Sequence, residues 1–211
     1  MTAKTRSFVF ACALGASVSV LAIPTASAIT WDFGPLHPGL LGTTQTYTVS
    51  GVTLTAAGFS SAAALAGAAN VALFGKNLGG DENGLGLNPT VENEISGTNL
   101  IQIAMAAGLS GVSFIMNSVQ AGEAWEVWGS NSATALGAPL ILMGTDEASH
   151  PLPFFNFYSF GAAGFLPASG NVLLSSISAV PGPIVGAGLP GLIAACAGLL
   201  ALARRRRRQI A

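Results

Sequence analysis

The sequence predicts an all-β fold, an antiparallel β-sandwich, on the basis of three observations. Short runs of β-branched, aromatic and aliphatic residues follow one another between residues 29 and 180, separated by turn-forming residues. No long segment of this stretch has the period of an amphipathic helix, since the only candidate, residues 62–69, contains Gly67. Charged residues make up only 8% of the chain, against about 25% in typical soluble domains. Together the observations favour two packed antiparallel sheets.

About nine strands are expected, each bounded by turn residues. Residues 44–49 alternate Thr with Gln, Tyr and Val, and Ser50-Gly51 then predicts a tight hairpin turn into residues 52–55. Such a succession of short strands is typical of a sandwich, including a jelly roll. The other expected strands are runs rich in apolar, β-branched or aromatic residues, at 71–74, 100–104, 112–116, 124–128, 140–143, 154–160 and 172–177.

Residues 29–180 are long enough for one domain with one core, and their charge is strongly one-sided. All nine acidic residues of the chain lie in this stretch, whereas Lys76 is its only lysine or arginine, so the net charge of the domain is −8. Such a domain repels phosphate backbones, which excludes nucleic acid as a partner. The two cysteines, Cys12 and Cys196, lie outside the domain, so it has no disulfide and no thiolate metal site.

Residues 1–28 have the pattern of a signal peptide. A basic start precedes an apolar run at residues 8–23, and Ala26-Ser27-Ala28 supplies the small-x-small cleavage site that ends such a segment. We expect cleavage after Ala28, so that the mature chain begins at Ile29. The pattern therefore predicts export across the inner membrane.

The C-terminal segment predicts a transmembrane helix. Residues 184–203 contain no charge, and at about 1.5 Å per residue they would span about 30 Å, the thickness of the hydrocarbon core of a bilayer. By the positive-inside rule the basic cluster that follows stays in the cytoplasm, so the domain lies on the far side of the inner membrane. This cluster consists of Arg204, Arg205, Arg206, Arg207 and Arg208.

A proline motif, Val180-Pro181-Gly182-Pro183, precedes this helix. With the motif, the helix and the arginine cluster in this order, residues 181–211 resemble the PEP-CTERM sorting domain. They match its Pro-Gly-Pro variant, because Gly182 stands where the common form has Glu. The resemblance implies recognition by an exosortase-type membrane enzyme and processing near the motif. It also implies a Gram-negative envelope that makes exopolysaccharide. The protein would be anchored in the inner membrane before processing, and would lie in the envelope or outside the cell afterwards.

An acidic loop is the first candidate site. Ca²⁺ takes six to eight oxygen ligands, and carboxylate-rich loops between strands can supply them, although the spacing here differs from that of the helix-loop-helix calcium loop. A solvated polar loop is the alternative interpretation. The string Gly-Leu-Gly…Asn-Glu-Ile is similar to loops in β-sandwich proteins with this same tail, where the acidic residue after Asn precedes a strand and pairs with the Gly-rich segment. The possible calcium ligands are Asp81, Glu82, Asn83, Glu92, Asn93 and Glu94.

A tryptophan-containing strand is the second candidate. Strand alternation places Trp125 and Val127 on one face and Glu126 and Trp128 on the other, so one tryptophan is expected in the core and the other partly exposed. An exposed Trp128 would stack on a sugar ring, and packing at the rim of the core is the alternative. The string Trp-Gly-Ser-Asn resembles the strand-to-loop segment of galactose-binding-like sandwiches.

The sequence favours a protein without catalytic activity. No Gly-x-Ser-x-Gly elbow is present, and the segment around His150 is expected to be a surface loop. We expect an exported envelope or matrix protein, sorted by its tail, that could bind polysaccharide. Two alternatives stay open: a secreted glycan hydrolase and a self-associating structural or adhesive matrix protein. The hydrolase would use carboxylates of residues 81–94 or the pair Glu123 and Glu126.

Overall fold

The computed structural model describes residues 27–88, 90–163, 170–182, 196–199 and 205. These residues form two antiparallel β-sheets with few helices, which confirms the all-β class. Within the described ranges, no helix has the length and apolar character needed to cross a bilayer. Most of the expected membrane helix, 184–203, lies outside the described residues, and of this segment residues 196–199 are described as helical.

Apart from residues 196–199, the described elements are one short helix, two 3₁₀ turns and thirteen strands. The helix α1 spans Phe33–Leu36, and the 3₁₀ turns span Ala62–Ala66 and Val91–Asn93. The strands, in chain order, are β1 (Ile29–Asp32), β2 (Gly39–Leu40), β3 (Thr44–Val49), β4 (Val52–Phe59), β5 (Ala72–Asn77), β6 (Asn83–Asn88), β7 (Leu100–Ala104), β8 (Leu109–Asn117), β9 (Trp125–Ser130), β10 (Ala138–Gly144), β11 (His150–Pro151), β12 (Phe157–Ala162) and β13 (Leu173–Pro181).

The strands are divided between a sheet of seven and a sheet of six. The seven-stranded sheet has the order β11-β8-β13-β6-β5-β2, with β1 paired to β13 beyond the point where β6 ends. The six-stranded sheet has the order β10-β9-β12-β7-β4-β3. The last strand of the chain, β13, is therefore a central strand that contacts β8, β6 and β1.

Aromatic side chains from both sheets meet in one core. Phe114 of β8 packs edge-on against Trp125 of β9 and Phe160 of β12, with ring centroids 5.2 Å apart in each pair. All three side chains are buried. Because these contacts join strands of different sheets, the two sheets pack face to face, as a sandwich requires.

Every strand expected from the sequence overlaps an observed strand, and the bounds of residues 44–49 and 100–104 are identical. The Ser50-Gly51 turn is also confirmed. Both residues have positive φ, 52° and 77°, as in the two-residue hairpin turn that matches the strand twist.

Four strands, β1, β2, β6 and β11, were not expected, and β6 is the important correction. The sequence predicts that residues 83–86 belong to an acidic loop. They form instead the first part of β6, an interior strand between β5 and β13. Alternate glycines normally weaken a strand. Here Gly86 leaves room for a chain segment that crosses the outer face of the sheet, and Gly84 leaves room for the close approach of β13.

Candidate functional site

The segment 91–95 lies directly on the outer face of β6. Leu85 and Leu87 of this strand point into the core, so Gly84 and Gly86 lie on the opposite face. A Cβ atom on Gly86 would lie 2.0 Å from the carbonyl oxygen of Asn93 and 2.9 Å from Cα of Glu94. Only glycine at position 86 therefore permits this close approach of the two backbones.

Several contacts hold this crossing segment in place. The backbone groups of Ile95 exchange hydrogen bonds of 2.8 and 3.1 Å with those of Val172, just before β13. The Asn88 side-chain amide donates to Oδ1 of Asn93 at 2.7 Å. Glu92 and Asn93 both have a φ of 59°, the left-handed conformation that non-glycine residues adopt at a cost. The segment is thus fixed at both ends and turns sharply between them, which places the next residue, Glu94, against the sheet.

Glu94 is fully buried and contacts the only lysine of the domain. Its Oε1 accepts hydrogen bonds from the Lys76 ammonium and, at 3.0 Å, from the Ser118 hydroxyl. The same ammonium also pairs with Glu82, whose side chain is about one-third exposed. Lys76 itself is 6% exposed. We call Lys76, Glu82, Glu94 and Ser118 the buried ion cluster. It contains one ammonium and two carboxylates, so it has one more potential negative charge than positive.

The excess carboxylate determines the protonation of the cluster. Burial alone would lower the pKa of Lys76, but the hydrogen bonds and charges of Glu82 and Glu94 outweigh it and raise that pKa. The hydrogen bond from Lys76 lowers the pKa of Glu82. Burial raises the pKa of Glu94, whose Oε2 has no hydrogen-bond partner among the described residues. Lys76 therefore keeps Glu82 ionised, and because Glu94 is buried, it depends more than Glu82 on this ammonium to hold its charge.

An open cleft lies beside the cluster at one end of the seven-stranded sheet. Its volume is about 710 Å³, within the range of roughly 300–1,000 Å³ found for small-molecule sites. Its wall combines carboxylates, side-chain amides and apolar groups, with Lys76 and Glu82 of the buried ion cluster among them. The side chains used in the argument below are Phe74, Asn77, Leu78, Glu82, Glu92 and Gln120.

The structure brings together only part of the predicted calcium site. Glu82 and Glu94 converge, but on the ammonium of Lys76. Oδ1 of Asn83 accepts the Gly79 amide at 2.9 Å, and Oδ1 of Asn93 is bonded to Asn88. Asp81 and Glu92 are exposed. Among the described residues, no group of three or more His, Cys, Asp or Glu side chains is placed to hold a metal ion.

Calcium binding stays a prediction, and thermal unfolding tests it. Calcium that binds only the folded protein stabilises it, by about 2.7 kcal/mol when the free calcium concentration is a hundred times its dissociation constant. This stabilisation raises the temperature midpoint of unfolding. The hypothesis predicts a higher midpoint in calcium than in EDTA, with Mg²⁺ as the control ion. Equal midpoints in calcium and EDTA would contradict it.

The carboxylates considered for hydrolysis make contacts within the protein that hold parts of the fold together. Glu82 and Glu94 share one ammonium, as described above. Glu123 accepts the backbone amides of Gln120 at 2.8 Å and Asn171 at 3.1 Å, so it fastens two loops together. Glu126 is partly buried, and burial raises its pKa. Nothing in these contacts selects an acid and a base, and the hydrolase stays an alternative prediction.

The two tryptophans of β9 lie as the strand alternation predicts. Trp125 is fully buried, and its indole N–H donates to the carbonyl oxygen of Asp146 at 3.0 Å. Trp128 lies on the outer face of the six-stranded sheet and is partly exposed, with its ring above Gly161. The predicted division into one core and one partly exposed tryptophan is confirmed. Stacking of a sugar on Trp128 stays a prediction.

His150 does not lie in a surface loop, which corrects the expectation. It belongs to β11 and pairs with Phe114 of β8. Its ring packs 5.0 Å from the Trp125 ring, and its Nε2 lies 2.6 Å from Oδ1 of Asp146. Asp146 and His150 thus pack and bond at the edge of the core. Their four-residue separation in the sequence did not indicate this role.

The sorting motif begins inside the sheet. Val180 and Pro181 are the last residues of β13 and pair with Ser110 and Leu109, and the Gly182 amide donates to the carbonyl oxygen of Gly108. Pro183, like Ala26 at the other end, lies outside the described residues. Arg205 is the one described residue of the arginine cluster, and Ala28 is exposed immediately before β1.

No family model matches the chain, and no curated protein or solved structure matches it either. Its class is therefore defined by its own fold and site. It is an all-β protein of two antiparallel sheets, with a polar cleft beside a buried ion cluster.

Proposed function

We propose that the protein is an exported, non-catalytic component of the cell envelope or extracellular matrix, and that it binds polysaccharide in the cleft beside Lys76. The composition of the cleft wall is the observation that supports this most directly. Sugar rings offer hydroxyl groups to amides and carboxylates, and C–H faces to apolar side chains. The cleft supplies both kinds of partner, with Asn77, Gln120 and Glu92 beside Phe74 and Leu78.

The protonation of the cleft favours binding over hydrolysis. A catalytic acid–base pair needs a carboxyl group that exchanges its proton near the working pH. In the cleft, Lys76 lowers the pKa of Glu82 and so keeps this carboxylate ionised. Glycosidases also place two carboxyl groups on either side of the scissile bond, about 5–9.5 Å apart. Glu92 is the other carboxylate of the cleft wall. Because Glu82 stays ionised in its pair with Lys76, Glu82 is a poor partner for Glu92 in such a reaction.

The proposed sorting route rests on the two ends of the sequence. The signal peptide would export the chain, and residues 181–211 would hold it in the inner membrane until an exosortase-type enzyme processes it. Because Val180 and Pro181 are bonded into β13, that enzyme would cut beyond Gly182 or first detach these residues from the sheet. We also place the fold among the jelly-roll or galactose-binding-like sandwiches. The position of Trp128-Gly129-Ser130-Asn131 supports this, since β9 ends at Ser130.

Binding to a panel of oligosaccharides tests the proposed function. We expect at least one glycan to bind, and Phe74→Ala or Gln120→Ala to weaken its binding about tenfold, the equivalent of about 1.4 kcal/mol. Trp128→Ala, on the other sheet, is the matched control and should leave the dissociation constant unchanged.

Three results would count against this proposal. Absence of binding to every glycan contradicts the function, and loss of binding in Trp128→Ala alone moves the site to the outer face of the six-stranded sheet. Release of shortened glycan products would favour the hydrolase.

A further inference from the structure

The two ends of the domain emerge at the same place. Ile29, the first residue of β1, pairs with Ala179 near the end of β13. Two residues further along, Pro181 pairs with Leu109, and Gly182 is bonded to Gly108. We call this end of the seven-stranded sheet the tail pole, comprising residues 28–29, 105–111, 153–156 and 180–182. The described chain of the sandwich therefore begins and ends side by side at this pole, at residues 27–29 and 180–182.

The cleft lies at the opposite end of the same sheet. Leu173, the first residue of β13, pairs with Asn117, and the Asn117 side chain donates to the carbonyl oxygen of Asn83 at 3.0 Å. Asn83 in turn pairs with Asn77, which lines the cleft. We call this end the cleft pole. β13 runs from one pole to the other, and the eight steps between Leu173 and Pro181 correspond to about 26 Å at roughly 3.3 Å per residue.

Acidic side chains gather at the cleft pole. Glu82 and Glu94 bond to Ser118, Glu147 accepts the Val119 amide, and Glu123 accepts the amides of Gln120 and Asn171. These four glutamates therefore surround the end of β8 and the start of β13. By contrast, residues 27–31, 105–111, 153–156 and 177–182 contain no charged side chain.

The tail pole also exposes an aromatic side chain. The segment after β11 continues along β8 towards Leu109, since the Leu152 amide donates to the carbonyl oxygen of Val112. It is fastened again where the Met105 amide donates to the carbonyl oxygen of Asn156 at 2.8 Å. Phe154, between these two points, is 41% exposed. An uncharged surface with an exposed aromatic residue suits the interface of a bilayer, where aromatic side chains are enriched.

We infer that the sandwich stands on the lipid bilayer by its tail pole and presents the polysaccharide cleft away from the membrane. Only residue 183 separates Gly182 from the uncharged segment 184–203, so at no more than about 3.6 Å per residue the tail pole must lie close to the bilayer that this segment would enter. The opposite orientation would place Glu82, Glu123 and Glu147 against the bilayer surface, where ionised carboxylates lose hydration without gaining an opposite charge. This inference rests on the membrane-anchored state of the proposed function.

Energy transfer to labelled lipids tests the orientation. The mature chain, residues 29–211 with Cys196 replaced by alanine, is reconstituted into vesicles that contain an acceptor-labelled lipid. A donor dye is attached to a single cysteine, either Ala107→Cys at the tail pole or Gln120→Cys at the cleft pole. Both positions are exposed. We expect clearly higher transfer efficiency from position 107 than from position 120, and loss of the difference in detergent.

Two results would overturn the inference, and they are distinguishable. If the protein does not float with the vesicles, the anchored state itself fails, and with it this part of the proposed function. If the protein floats but the two positions transfer equally, or position 120 transfers more, only the orientation fails. Neither result depends on glycan binding, so the cleft is tested separately.

Discussion

Replacement of Lys76 by methionine is expected to lower the free energy of unfolding by about 3–5 kcal/mol, the cost of breaking a buried ion pair from one side. Methionine keeps most of the volume of the lysine side chain but removes its charge. Glu94 would then be fully buried with one hydrogen bond, from Ser118, and no opposite charge. Urea denaturation of the two proteins, at equal slopes of free energy against urea, measures the difference.

Two further variants identify the cause of this loss. Lys76→Met combined with Glu94→Gln removes both buried charges, and since replacing a whole buried pair is often close to neutral, we expect most of the stability to return. Glu82→Gln is the control, because its carboxylate is partly exposed and such pairs contribute about 1 kcal/mol or less. If the free energy of unfolding of the single Lys76→Met variant lies within about 1 kcal/mol of the wild-type value, the ion cluster does not stabilise the fold.

The strands that the sequence predicts are those whose residues determine their own conformation. Residues 44–49 alternate in polarity and contain β-branched threonines, and Ser50-Gly51 adopts the backbone angles of a two-residue turn. The two faces of β9 could likewise be assigned from alternation alone. In each case the conformation follows from neighbouring residues in the sequence, and contacts with distant parts of the fold are not needed to predict it.

The candidate site could not be predicted in this way. Its residues come together because segment 91–95 crosses β6, and apart from the resemblance of Gly-Leu-Gly…Asn-Glu-Ile to loops of other β-sandwich proteins, nothing in the local pattern indicates this path. The sequence shows that acidic residues cluster at 81–94, and therefore suggests a bound cation. The structure supplies a cation from within the chain, the ammonium of Lys76, 18 residues from Glu94. Lys76 is the only lysine or arginine of residues 29–180, which was the other available signal for this pairing.

Position 86 offers the second large effect: Gly86→Ala is expected to destabilise the protein by about 3 kcal/mol, the upper part of the usual range for overpacking. The backbone of Gly86 does not have a positive φ, so alanine could adopt it without strain. The cost comes from its Cβ, which would lie 2.0 Å from the Asn93 carbonyl oxygen. Because backbone atoms cannot rotate away as a side chain can, the crossing segment must shift. Gly42→Ala is the matched control, since its Cβ would meet no atom closer than 3.5 Å.

The double variant Gly86→Ala with Lys76→Met links the two predictions. If alanine at position 86 displaces the crossing segment, it also withdraws Glu94 from Lys76, and the ion pair is already lost in the single variant. The losses of unfolding free energy in the two single variants should then add up to clearly more than the loss measured in the double variant. The reason is that substitutions that disrupt one shared contact do not have additive effects. Simple additivity, or a Gly86→Ala variant as stable as Gly42→Ala, would show that the glycine does not position Glu94. Non-additivity would establish that Gly86, one of the glycines that make β6 resemble a loop in the sequence, is what allows a buried carboxylate to reach the only lysine of the domain.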